Sequence, residues 1–249
     1  YIKDNIYMYT NFASCYDILT ANISYQERAQ YFNLLIKKYN KSDNILLDLA
    51  CGTGTMSKLF CKMGYDVIGV DSSYEMLTQA FSKKGDDDIL YICQPMQQLD
   101  LYGNVDICVC ALDSINHLTK KEDVAETFKR VSKFLNNGGV FIFDVNSVYK
   151  HQQILANNTF VYDCEDVYCV WQNSLYADNI VSINLDLFKE DKNGRYDRQS
   201  EDFFERAYSH QEICEFIENA NLQLIDCFEG DTFNAPNEKS ERLVYIVTR

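Results

Sequence analysis

Residues 45–56, Ile45-Leu46-Leu47-Asp48-Leu49-Ala50-Cys51-Gly52-Thr53-Gly54-Thr55-Met56, read as a short buried strand that turns on two glycines into a helix. An acid, Asp48, lies on the strand. A second acid, Asp71, ends the next strand, Val67-Ile68-Gly69-Val70-Asp71. In open α/β sheets ligands bind beyond the C-terminal strand ends, so this pairing predicts a nucleoside crevice. Gly52 and Gly54 let the backbone approach a ligand closely. A dinucleotide fingerprint places a third glycine at position 57, where this chain has Ser57. Asp71 is placed to accept hydrogen bonds from ribose hydroxyls. Ser72 with Glu75 reads as a capping box for the helix that follows.

Outward from that turn, strands and helices alternate. Strands are expected at 45–49, 66–70, 89–93, 105–111 and 140–145, with helices at 55–63, 74–83 and 121–135 between them. A further helix precedes them, with apolar residues at Ala29, Phe32, Leu35, Ile36 and Tyr39. Residues 159–208 change character and read as short strands with polar turns, including the hairpin turn Asp191-Lys192-Asn193-Gly194. Ser209 and Glu212 then form a capping box for a helix over 211–220. Strands at 222–229 and 243–247 are expected to pair as a hairpin and put an antiparallel edge on the parallel sheet. The predicted fold is α/β: a doubly wound, Rossmann-like, seven-stranded, mostly parallel sheet with a small inserted antiparallel β subdomain. The main domain is expected to comprise residues 1–146 and 209–249, and the inserted lid residues 147–208.

Composition excludes several classes. The net charge of −14 over 249 residues repels a phosphate backbone or an anionic bilayer, so neither nucleic acid nor membrane is expected as a partner. The ten cysteines include no CxxC pair and no zinc spacing, so no metal is expected. Most read as small buried hydrophobes in a reducing compartment. No apolar run is long enough to span a bilayer and none reads as a signal peptide, so a cytoplasmic location is expected, as monomer or homodimer.

Asp48-Leu49-Ala50-Cys51-Gly52-Thr53-Gly54 closely resembles motif I of the class I S-adenosylmethionine-dependent methyltransferases. Val67 to Leu77 resembles the segment after it. Asp106 to Asp113 resembles the family's fourth-strand motif, and Asn137 to Asp144 its fifth. The resemblance covers residues 45–146 and implies S-adenosyl-L-methionine as cofactor. That molecule has no pyrophosphate, so it needs no third glycine. By resemblance, Asp48 holds the loop or reaches the amino end, Ala50, Gly52 and Gly54 offer backbone groups, and Asp71 with Ser72 faces the ribose. Gln94 and Met96 flank the adenine, where Pro95 replaces the acid many members carry. Met76 packs on the ring's other face and Leu112 borders the methyl group. Tyr9-x-x-Phe12-Ala13-x-x-Tyr16-Asp17 looks like the lead-in of small-molecule members, in which the leading Tyr, here Tyr9, covers the cofactor; Tyr16 is a second candidate. Arg28 either reaches the cofactor carboxylate or lies on a solvated helix face.

Methyl transfer from a sulfonium is an in-line displacement that rests mainly on alignment. A general base matters only where the acceptor loses a proton. Leu112-Asp113-Ser114-Ile115-Asn116-His117 should border the methyl group. His117 and Asp113 are the catalytic candidates: His117 as base by its ordinary pKa, Asp113 with Asn116 to orient the acceptor. Tyr149, Tyr168, Trp171 and Arg206 of the insert are candidate acceptor contacts. The chain lacks the Asn/Asp-Pro-Pro-Tyr/Phe motif of nucleic-acid N-methylation, and a small-molecule acceptor is expected. Two other readings stay open: a non-catalytic S-adenosylmethionine-binding sensor or scaffold, and an NAD-dependent oxidoreductase, which Ser57 opposes.

Overall fold

The computed structural model describes residues 24–40, 44–164, 167–191 and 193–249. In chain order the elements are α1 (Tyr25–Tyr39), β1 (Ile45–Leu49), α2 (Thr55–Lys62), β2 (Asp66–Asp71), α3 (Tyr74–Lys84), β3 (Ile89–Cys93), β4 (Val105–Cys110), α4 (Lys121–Phe134) and β5 (Leu135–Asn146). Then come β6 (Thr159–Cys164), β7 (Val167–Leu175), β8 (Ile180–Glu190), β9 (Tyr196–Arg206), α5 (His210–Asn219), β10 (Gln223–Glu229) and β11 (Arg242–Thr248). Tyr9 and Tyr16 lie outside the described residues.

A seven-stranded sheet runs β10-β11-β5-β4-β1-β2-β3. The chain steps outward from β1 through β2 to β3, then returns to β4 on the other side of β1. This reversal opens a crevice above the C-terminal ends of β1 and β4. All six residues of β4 are buried, as a central strand covered on both faces requires. Alternation sorts the two cores: Ile107, Val109, Ile142, Val244 and Ile246 face Phe32, Phe60 and Leu77. Cys108, Phe141, Phe143, Tyr245 and Val247 face Phe128, Ile213 and Phe216.

The two strands at the end of the chain pair as a hairpin and give the sheet its antiparallel edge, as expected. The reversed strand is β11, which pairs antiparallel with both β5 and β10, so it lies inside the sheet, and β10 forms the edge. Burial explains the order: Val244 to Val247 are buried throughout, whereas β10 has only Phe228 buried. β5 starts at Leu135, the last residue of the expected helix 121–135, and takes in 136–139 ahead of the expected strand at 140–145. It bulges between the pairs Val105–Leu135 and Ile107–Val140. The capping box of Ser209 and Glu212 forms as expected.

Strands β6 to β9 form a second, antiparallel sheet in sequential order. Val181, Ile183, Leu185 and Leu187 of β8 line its inner face with Leu155, Cys169 and Phe203. The nine described cysteines are all free. Four are buried and Cys93 is exposed, so burial as small hydrophobes holds for fewer of them than expected. No helix among the described residues is long and apolar enough to cross a membrane.

A chain of alternating charges ties the crevice end of the main sheet together. Arg28 Nη2 lies 2.8 Å from Asp231 and its Nη1 3.0 Å from Asp144. Arg242 bridges Asp144 and Asp113, with its Nη2 2.6 Å from Asp113. Arg28 is therefore not on a solvated face: its side chain is 12% exposed and pairs with Asp144 and Asp231. Removing one partner of a buried ion pair leaves an uncompensated charge. Arg242→Met is expected to lower the unfolding free energy by about 3 kcal/mol in urea titrations, and a loss below about 1 kcal/mol would show that the chain of charges is not structural.

Candidate active site

The backbone after β1 turns through left-handed residues: Ala50 (φ 64°), Gly52 (φ 56°) and Gly54 (φ 74°). Gly54 is required twice over, because a Cβ there would lie 2.4 Å from Tyr91 Oη and 2.9 Å from Ala80 Cβ. At Gly52 a Cβ would meet nothing within 4 Å, so the turn presents open backbone to the crevice. The cleft encloses about 370 Å³ of space open to solvent and is lined by Ala50, Gly52, Thr53, Met56 and, from the far side, Leu112 and Ser114. Tyr25, at the start of α1, closes one end.

Asp48 is buried beneath this turn and accepts a 2.5 Å hydrogen bond from Ser57 Oγ. Ser57 thus does more than interrupt a glycine pattern: from α2 it fastens the helix to β1. Burial pushes the Asp48 carboxyl up to about 7, with Ser57 opposing and Asp71 adding to the rise.

Asp71 holds the turn from the other side. Its Oδ2 accepts from Gly52 N–H and its Oδ1 from Ser73 N–H, both at 2.8 Å. Burial raises its pKa, against the pull of these N–H groups. A carboxylate has lone pairs to spare after two such bonds, which suits two ribose hydroxyls. The helix cap is Ser73 rather than Ser72: Ser73 Oγ accepts from Met76 N–H at 3.1 Å, while Ser72 is exposed. The extended backbone of Ser73 sets its hydroxyl over the first turn of α3, so Ser72 and Glu75 form no capping box.

The remaining cofactor candidates divide. Leu112 lines the cleft in a left-handed conformation (φ 60°), followed by Asp113 (φ 53°), a strained pair at the sheet's C-terminal edge. Met96 packs against the main core with its Sδ 3.9 Å from Cys110 Sγ. Gln94 uses its amide on the loop, donating to Asp100 O and accepting from Asp100 N–H. Met76 is buried in the apolar cluster under the four-stranded sheet, where it joins α3 to the insert.

Beyond Leu112 the polar groups converge. Asp113 accepts from Arg242 and, at 2.9 Å, from Asn146 Nδ2. Burial pushes its carboxyl up, but Arg242 and Lys150 outweigh this and hold it below the ordinary range. A carboxylate so paired is a weak base. Asn116 does not face an acceptor: its amide bridges Asn146 and the Arg206 carbonyl, locking the 3-10 turn Ser114–His117 to β5 and β9. The His117 ring lies tilted against Phe203 at 5.3 Å, and burial lowers its pKa against Asp113, favouring the neutral form. Its Nε2 is 3.7 Å from Glu205 Oε1. Glu205 in turn faces His151 Nε2 at 3.7 Å.

Of the insert candidates, Trp171 donates to Asn173 at 2.5 Å and Tyr168 is 40% exposed. Arg206 donates to the Thr119 carbonyl and covers Tyr208. Tyr149 borders a separate groove beside α5. The side chains of these four make no contact with Asp113 or Glu205, although the Arg206 carbonyl accepts from Asn116. The residues that sequence reasoning missed are Glu205, His151 and Lys150. Glu205 carried a signal, because it alternates in phase with buried Phe203 and Ala207.

The cleft is lined by open backbone and the Asp48 carboxyl, with Asp71 behind the turn, and no Lys or Arg among the described residues lines it. That donor set fits a ribose and a sulfonium, and it lacks the cationic grip expected for a pyrophosphate. A family model described as a methyltransferase domain matches residues 46–139. YqeM of Bacillus subtilis (strain 168), itself named only provisionally as a methyltransferase, is 32% identical over 240 residues, 96% of each chain. The crystal structure of an S-adenosylmethionine-dependent methyltransferase from Clostridium acetobutylicum ATCC 824 is 33% identical, covers 96% of this chain and 98% of that one, and superposes with a TM-score of 0.87. The chain belongs to the S-adenosylmethionine-dependent methyltransferases. The fold extends further: CalS10 of Micromonospora echinaspora, an amino pentose methyltransferase solved with S-adenosylmethionine, gives a TM-score of 0.77 at 17% identity over 96% of each chain. The methyltransferase assignment sets aside the nicotinamide reading.

Two results are expected of this methyltransferase site. Asp71→Ala should weaken S-adenosylhomocysteine binding about 30-fold by calorimetry, the loss of hydrogen bonds to a charged group worth about 2 kcal/mol; unchanged affinity would remove Asp71 from the site. Asp48 has a folded pKa raised to about 7, above its unfolded value of about 3.9. The folded state therefore binds more protons across that window, and the contribution of Asp48 to stability falls as pH rises from about 4 to about 7. Asp48→Asn should flatten that fall in urea titrations; an unchanged slope would contradict it.

Proposed function

We propose that this enzyme transfers a methyl group to a small-molecule acceptor held between the end of β4 and the inner face of the four-stranded sheet. One observation carries the reading. Asp113 and His117, from the segment after β4, meet Glu205 of β9 and His151 of the insert in a buried polar cluster beside the Leu112 rim of the cleft. Residues 147–208 then form the lid and substrate subdomain. The amino pentose on which CalS10 acts, and the net charge of −14, which opposes nucleic acid, support a small acceptor.

When bound, S-adenosylmethionine supplies an activated methyl group on a positively charged sulfur. The chain's own residues hold and align. Asp71 fixes the turn through Gly52 and offers its remaining lone pairs to the ribose. Backbone of Ala50 and Gly52 receives the amino acid end. Leu112 sets the rim at which the methyl group meets the acceptor. Asp113, kept ionised by Arg242, positions Asn146 and adds negative potential beside the reacting centre. Alignment of the two reactants supplies the larger part of the acceleration.

Incubation with methyl-tritiated S-adenosylmethionine and an enzyme-free cell extract tests this. Label should enter the dialysable fraction. Label found only in protein or nucleic acid would refute the small-molecule reading.

A further inference from the structure

Glu205 is the one buried carboxyl of the acceptor cluster without a cation bound to it. It is 5% exposed, on the inner face of β9 between Val181 and Phe203. Its Oε2 has no hydrogen-bond partner among the described residues, and neither has His151 Nε2, which faces it at 3.7 Å. That separation is too long for a hydrogen bond. His151 Nδ1 lies 3.0 Å from the Asn179 carbonyl, which can only accept, so Nδ1 carries the proton and Nε2 presents a lone pair. Two buried acceptors therefore face each other with no donor between them. Such groups are costly unless something donates to them.

The neighbouring charges point to the same donor. Asp113 and Arg242 come from the ends of β4 and β11, and Lys150 from the π turn Lys150–Leu155, with Glu241 acting on Lys150 from the loop before β11. Arg242 is bound by Asp113 and Asp144, and Arg28 by Asp144 and Asp231. Lys150 donates to Asn146 at 3.0 Å. With Glu205 ionised, the five carboxylates of Asp113, Asp144, Asp231, Glu205 and Glu241 face the three cations Arg28, Arg242 and Lys150, an excess of negative charge that a cationic acceptor reduces.

We propose that Glu205 binds the acceptor as a basic amine and takes the proton that this amine must lose before it accepts the methyl group. The inference rests on the acceptor site proposed above. The ammonium N–H donates to the Glu205 carboxylate and its proton moves there, leaving the electron pair on nitrogen. That pair forms the bond to the methyl carbon, while the pair of the broken carbon–sulfur bond stays on sulfur. The products are an N-methylammonium and a neutral thioether. The proton stays on Glu205 until the products leave and water reaches the carboxyl. Burial and Asp113 push the Glu205 carboxyl up to about 8, with Lys150 opposing, close to the working pH that suits a general base.

The test takes the dialysable tritiated product and locates its methyl group by mass spectrometry and NMR. Methyl on a basic nitrogen is expected; methyl on oxygen, sulfur or carbon overturns the proposal. No labelled small molecule at all, from enzyme that binds S-adenosylhomocysteine, overturns the acceptor site itself. With that acceptor, Glu205→Gln should lower kcat/KM about 100-fold, the scale of a lost general base. It should also replace the wild-type acidic limb with a rise of slope one toward the amine's own pKa. In calorimetry with S-adenosylhomocysteine present, the acceptor should bind the variant about 10-fold more weakly, a loss of about 1.4 kcal/mol. Unchanged S-adenosylhomocysteine affinity shows that the variant is folded, and Glu205→Asp should restore part of the rate. A Glu205→Gln enzyme with the wild-type pH profile and acceptor affinity would overturn the role of Glu205.

Discussion

The Asp71 carboxylate receives one N–H from the turn after β1 and another from the start of α3. Through these two bonds it fixes the left-handed path of Gly52, the direction of α3 and the spacing between the ends of β1 and β2. The crevice has its shape because of this clamp. Asp48 and Ser57 repeat the device one layer below, fastening β1 to α2. Among the described residues neither acid is held by a basic side chain. The region proposed for the donor is thus built from carboxylates and backbone, a combination that matches hydroxyls and a sulfonium.

The region proposed for the acceptor is organised differently. Asp144 is fully buried and is kept so by two arginines, one from α1 and one from β11. Arg242 passes the constraint on to Asp113, and Asp113 to Asn146. The ion pairs occupy every charge in this chain and position the loop after β4. Glu205, reaching in from the insert, stands outside that saturation, and its neighbours His117 and His151 are kept neutral by burial. The contrast between paired and unpaired carboxyls separates groups that hold the site from the group poised to handle a proton.

The turn after β1 and the strand order around it were legible in the sequence because their determinants are local. The glycine turn, the strand-end acid and the period-two runs of β4 and β5 each fit within a dozen residues. The position of the reversed strand was not, because β10 and β11 read alike as strands and only burial decides which lies inside. Ser72 and Ser73 are adjacent candidates for one cap, and a single extended φ/ψ pair chooses between them. Arg28 and Arg242 reach Asp144 across 116 and 98 residues, a separation that no spacing rule captures. Glu205 could have been found: an acid in phase with Phe203 and Ala207 on the apolar side of a strand is either paired or functional.

The central claim is that the Asp71 clamp and the turn it holds form the methyl donor's site. A crystal structure with S-adenosylhomocysteine bound tests it most directly. The account predicts both ribose hydroxyls on Asp71, the amino acid end over Ala50 to Gly52, and the sulfur toward Leu112. Density for the nucleoside anywhere else, with Asp71 contacting only Gly52 and Ser73, would contradict it.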